Sequence, residues 1–209
     1  MLEFMDSVAI NAVEDEMRMG LDRSAAGMLV ARSDAPGEYA AREAATILEL
    51  CEKSGAAEVF STEDPDEGEA FCAARRFAIP ALERKGPLLL EDVGVPLPRL
   101  GELIDGIAAI AARRQVLVSV IAHAGDGNTH PLIVYNPADV AESARAQQAF
   151  GEIMDLAIAL GGTITGEHGV GRLKKAWLPD QLGPDAMALT RRIKDALDPQ
   201  GILNPGAVL

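Results

Sequence analysis

Three histidines carry most of the chemistry that this sequence can do. His123 and His130 bracket the run HAGDGNTH at 123–130, and His168 lies in TGEHGVG. Both settings are glycine-rich, and none of the three falls on an ordinary helix face. Gly125 and Gly127 let the chain reverse tightly between His123 and His130. Such a reversal brings two imidazoles to one side of a hairpin. Two neutral imidazoles suit a borderline divalent metal, and with a carboxylate beside them zinc, manganese and iron all stay open, because such ligands do not choose cleanly. A third ligand is needed, and Glu167, beside His168 in the second loop, is the best placed. A His₂Glu set leaves positions open for a substrate, as a catalytic site requires. Asp126 is an alternative ligand, although aspartate in such a turn commonly bonds to the neighbouring backbone. The same residues also fit a pair of hydrogen-bonded loop histidines without an ion, because the pattern is not H-E-x-x-H and no helix sets its geometry.

Neighbouring residues of an extended loop point in different directions. If Glu167 faces an ion, His168 faces an adjacent position, where an imidazole is suited to proton abstraction near neutral pH. Arg75, in FCAARR, reads as a surface residue unless it reaches the same pocket, where its fork would hold a carboxylate. Gly166 to Gly171 is not a dinucleotide fingerprint, since no strand precedes it at the right place. Arg172, Lys174 and Lys175 read as a solvated basic turn in preference to a phosphate site.

The elements that must position these residues alternate between strand and helix. Short apolar or β-branched runs at 26–32, 57–60, 87–91, 115–122 and 130–135 read as strands. Helical spacing covers 38–53, 69–84 with an interruption near Pro80, 98–114, 138–160 and 184–197. Asp64 to Gly68 reads as an acidic turn, and Gly161-Gly162 stops the helix before it. The pattern implies a two-layer α+β or α/β domain. Residues 198–209, DPQGILNPGAVL, form an irregular tail.

The 209 residues can close a core, which must be mostly aliphatic because only eight residues are aromatic. The net charge of −13 disfavours nucleic acid as a partner. The acidity is concentrated: residues 1–70 hold 17 acidic and 5 basic side chains. Cys51 and Cys72 show no metal-site spacing. No run reaches 18 apolar residues, so no transmembrane segment is expected. The opening MLEFMDSVAINAVEDE lacks the basic region and apolar run of a signal peptide. A cytoplasmic location is the expectation.

Taken together, HAGDGNTH (123–130), GGTITGEHGVG (161–171) and DPQGILNPGAVL (198–209) resemble the C-terminal half of the FAD-linked 2-hydroxy-acid oxidases and dehydrogenases. LEFMD at 2–6 and EDVGVP at 91–96 fit the same family. The resemblance implies a substrate or cap domain at 1–197, built on a mainly antiparallel sheet with helices on one face. It implies a tail at 198–209 that returns toward the flavin, and an N-terminal FAD-binding domain that lies outside this chain. His123, His130 and Glu167 then fall on the divalent-metal ligands, and His168 on the active-site base. Asn128 and Arg75 fall on substrate-binding positions, and Asn204 on a residue near the flavin. The implied activity is oxidation of a small 2-hydroxy acid, of glycolate or D-lactate type, to the 2-oxo acid. The implied partners are that acid and a flavin-binding domain or subunit, with self-association through an exposed apolar patch. A second reading is a truncated or separately expressed cap domain that binds metal or small acids without turnover. Three departures from the family stand out: Cys72 at a frequent tryptophan, Leu90 at a frequent lysine, and Ala207 in NPGAV.

Overall fold

The computed structural model describes residues 1–209. One antiparallel sheet organises the chain. Its strands are β1 (Leu2–Asp6), β2 (Gly27–Ala31), β3 (Leu88–Leu90), β4 (Val93–Gly94), β5 (Leu117–His123) and β6 (Asn128–Val134). They lie in the order β2-β1-β5-β6-β3, with β4 also paired to β6. Every pairing is antiparallel. The helices are α1 (Ser7–Met17), α2 (Glu38–Lys53), α3 (Pro65–Glu83), α4 (Leu100–Arg114), α5 (Val140–Ala159) and α6 (Leu178–Leu197).

Side-chain parity divides the core in two. Val118, Val120 and Ile133 point to one face and pack with Leu103, Ile107 and Ile110 of α4 and Phe150, Ile153 and Met154 of α5. Met5, Ile121, Leu132 and Val134 point to the other face and pack with Ile10 and Val13 of α1 and Ala78 and Leu82 of α3. The class is α+β with an antiparallel sheet, as the resemblance implies. The helices cover both faces of the sheet, whereas one covered face was expected. The reason is that β5 and β6 are apolar at nearly every position and cannot leave either face in water.

Other expectations need correction. No strand forms at 57–60. Only Val59 and Phe60 there favour extended structure, and Phe60 lies exposed with its ring centroid 5.5 Å from that of Phe71. The acidic turn at 64–68 is the start of α3. The Asp64 carboxylate caps it by accepting from the Asp66 and Glu67 amides, and Pro65 occupies the first turn. Pro80 does not interrupt α3. It is exposed, and so is Arg76, whose carbonyl loses its helical donor. The last helix begins at Leu178 and bends at Gly183 (φ 76°) before the segment that was expected. Strand β1, which the sequence did not single out, lies between β2 and β5.

Candidate functional site

The β5–β6 hairpin delivers two of the histidines. Its register sets Ile121 opposite His130 and His123 opposite Asn128, so both imidazoles leave the same face. The reversal depends on Gly127: its φ is 76°, and a Cβ there would stand 2.2 Å from the Val95 carbonyl oxygen. The two rings meet edge to face with centroids 5.3 Å apart. Loop 165–168 brings the third and fourth groups. Oε1 of Glu167 lies 3.1 Å from Nε2 of His130, 3.6 Å from Nε2 of His123 and 3.7 Å from Nε2 of His168. The His168 ring stacks on His130 at 5.0 Å. Sequence positions 123, 130, 167 and 168 therefore converge on one point. Two of them, His123 and Glu167, line a cleft of about 530 Å³ together with Asp126 and Asn128.

The second nitrogen of each hairpin histidine is also held. Nδ1 of His123 lies 2.8 Å from a Glu3 carboxylate oxygen, and Nδ1 of His130 lies 3.3 Å from the Glu91 carbonyl. This creates a conflict. A neutral imidazole has one N–H, yet each ring faces an acceptor on both sides. Protonating His130 would resolve it, but burial lowers the pKa of that ring, against smaller opposing effects from the Glu91 carbonyl and Asp92. A cation on the Nε2 side removes the conflict for both rings at once. The donor set of two imidazoles and a carboxylate fits a divalent ion on that ground.

Loop 165–168 has its own anchor. Oδ2 of Asp92 accepts from the Thr165 hydroxyl and the amides of Gly166 and Glu167, each at 2.9 Å, and from the His168 amide at 2.7 Å. Burial pushes the Asp92 carboxyl up, but these donors and Lys174 outweigh it and hold the group below the usual carboxylate range. Asn128 packs beneath this loop. A Cβ on Gly166 would stand 2.2 Å from its Oδ1, which is buried without a hydrogen-bond partner. Lys174 is buried, not solvated as expected, and donates to the Asp92 carbonyl at 2.8 Å. Its Nζ is 3.8 Å from Glu91, whose buried carboxyl oxygens have no hydrogen-bond partner. Burial is the main cause that pushes Glu91 up to about 8.

Arg75 reaches this region from α3, and its guanidinium lies 2.9 Å from Glu3. Asn204 is exposed, with φ 46°, and makes no hydrogen bond to the cluster. The tail around it docks on the segment after His168: Val208 donates to the Gly171 carbonyl, and Arg172 donates to the Pro205 carbonyl. The amide of Asp126 closes the hairpin turn onto the His123 carbonyl. Sequence reasoning missed Glu3, Glu91 and Asp92 as members of the site. Their one signal is a carboxylate inside an otherwise apolar strand or bend.

A family model described as FAD linked oxidases, C-terminal domain, matches residues 1–208. The glycolate oxidase subunit GlcD of Bacillus subtilis is 39% identical over 98% of this chain and 44% of its own length. The Escherichia coli protein of the same name is 34% identical over 98% of this chain and 41% of its own. The mitochondrial D-lactate dehydrogenase [cytochrome] of Arabidopsis thaliana is 31% identical over the whole chain and 37% of its own length. The chain thus spans less than half of these relatives. A solved structure of 4-ethylphenol oxidase from Gulosibacter chungangensis, in complex with isoeugenol, shares the fold. Its TM-score is 0.63 at 13% identity, over 99% of this chain and 47% of that one. By sequence match along nearly its full length, the chain belongs to the FAD linked oxidases and constitutes their C-terminal domain.

Proposed function

We propose that this chain is the metal- and substrate-binding portion of an FAD-dependent enzyme that oxidises a small 2-hydroxy acid to the 2-oxo acid. The observation that carries this reading is the convergence of His123 Nε2, His130 Nε2 and one Glu167 oxygen, with His168 beside them. His123, His130 and Glu167 would hold the divalent ion. When bound, the ion would lower the pKa of the substrate hydroxyl and the flavin would accept a hydride equivalent. His168 takes the hydroxyl proton at Nε2. Stacking on His130 orients its ring. Asp92 holds the loop that carries it. Asn128, at the floor of the cleft, orients the acid. Arg75, whose guanidinium lies beside Glu3, is the cation this reading assigns to the substrate carboxylate. Asn204, on the docked tail, would lie near the flavin, which the flavin-binding half would hold through most of its contacts.

The reading favours a monocarboxylate. Leu90 pairs with Leu132 and packs into the apolar cluster under α1 and α3, so it offers a second carboxylate nothing. In an assembly with a flavin-binding half, kcat/KM should be higher for D-lactate or glycolate than for D-2-hydroxyglutarate. A clear preference for the diacid would overturn the assignment. In the same assembly His168→Ala should slow flavin reduction by about 10²–10⁴-fold in stopped-flow traces, with ion content unchanged. Wild-type reduction rates in that variant would remove His168 as the base.

A further inference from the structure

The contacts behind His123 differ in kind from those behind His130. His130 rests on a backbone carbonyl, whereas His123 rests on a side chain that is itself held. Antiparallel register sets Glu3 of β1 directly opposite His123 of β5. One Glu3 oxygen lies 2.8 Å from Nδ1 of His123, and the other lies 2.9 Å from the Arg75 guanidinium. Both Glu3 and Arg75 are only 11% exposed in their side chains, whereas His123 is 37% exposed. The least buried hairpin histidine is thus backed by a sunken ion pair.

We propose that Glu3 and Arg75 form a positioning pair for His123: Arg75 holds the Glu3 carboxylate, and Glu3 keeps the imidazole protonated at Nδ1 with Nε2 directed at the Glu167 oxygen. This rests on the reading of His123, His130 and Glu167 as a ligand set. An ionised carboxylate can only accept, and Glu3 at 2.8 Å is within hydrogen-bond distance of Nδ1 whereas Glu167 lies 3.6 Å from Nε2, so Glu3 selects the tautomer with the proton on Nδ1. A carboxylate behind a ligating histidine also raises its basicity toward an ion. Stability alone is a weak reason for such a pair, because apolar replacements of buried ion pairs are often neutral or stabilising. What an apolar pair would not supply is an orienting acceptor for the ring. Arg75 then acts on the ion through Glu3, in addition to any contact that it makes with substrate.

The test uses the full chain. Nitrogen NMR of the histidine rings, without added metal, should show His123 in the Nδ1-protonated form. In Glu3→Gln it should show a mixture, since an amide can donate or accept. Calorimetric titration with Zn²⁺ should show Glu3→Gln binding about 10–100-fold more weakly than wild type. Arg75→Met should also weaken binding, and the double variant should be no weaker than Glu3→Gln alone, because coupled positions are not additive. Arg75→Lys, which keeps a cation near Glu3, should recover part of the loss and guards against misfolding of the harsher variant. An unchanged His123 tautomer together with wild-type Zn²⁺ affinity in Glu3→Gln would overturn the proposal. So would a double variant whose loss is the product of the two single losses. If wild type binds no Zn²⁺ while its tautomer still depends on Glu3, the positioning pair stands and the ligand-set reading fails.

Discussion

The two arms of the site are built differently. The hairpin arm, β5 and β6, is locked by a continuous antiparallel ladder and by apolar side chains on both faces. The loop arm, 165–168, has no ladder and is exposed at Gly166, Glu167 and His168. One oxygen of Asp92 gathers the donors that hold it. The histidines of the hairpin are therefore placed by cooperative secondary structure, while Glu167 and His168 are placed by a single carboxylate. A site of this kind should fail in one arm without failing in the other.

Removing the anchor gives the largest expected effect. Asp92→Ala leaves the amides of Gly166, Glu167 and His168 and the Thr165 hydroxyl without their shared acceptor, which should cost about 1–3 kcal/mol, since these loop groups can turn to water. Hydrogen exchange at Gly166, Glu167 and His168 should accelerate sharply, while exchange in β5 and β6 stays slow. Equal acceleration in both arms would contradict the division. Acid should act on the same anchor. The Asp92 carboxyl is held low in the folded chain, so its stabilisation is present above its unfolded pKa and is lost as pH falls toward the folded value.

A pH-dependent effect is expected on the other side of Asp92. The Glu91 carboxyl titrates at about 8 in the fold, against an ordinary value of 4.5. Both states are protonated below the ordinary value. Between the two values the unfolded chain ionises first, so stability falls as pH rises, and the penalty levels off above about 8. Glu91→Gln should match wild type near the acidic end and become progressively more stable than it toward the alkaline end. Urea midpoints across that range test this; a pH-independent difference would contradict the burial of an ionisable Glu91.

Much of the hairpin arm was legible in the sequence. Valines at 116, 118 and 120, two histidines and two glycines announce a strand, a reversal and a second strand. Pairing Glu167 with that hairpin needed chemistry, since a His₂ pair asks for an oxygen donor from elsewhere. The carboxylates behind the site were harder to see. Glu3 acquires its role from the β1–β5 register, and Asp92 from a loop more than seventy residues later. Local patterning carries neither relation. Lys174 shows the same limit: beside Arg172 and Lys175 it looks like surface, and only the buried Asp92 carbonyl draws it inside. The misplaced strand at 57–60 failed for the converse reason, as local apolar character without a neighbouring strand does not make sheet.

The account stands or falls on whether the two arms meet at an ion. The direct measurement is metal content and affinity of the full chain, stripped and then titrated with Zn²⁺ or Mn²⁺, beside His130→Ala and Glu167→Gln. The account predicts about one ion per chain in wild type, with affinity falling sharply in both variants because each removes one of three ligands. Wild-type stoichiometry and affinity in both variants, or no binding by the folded wild-type chain, would contradict it.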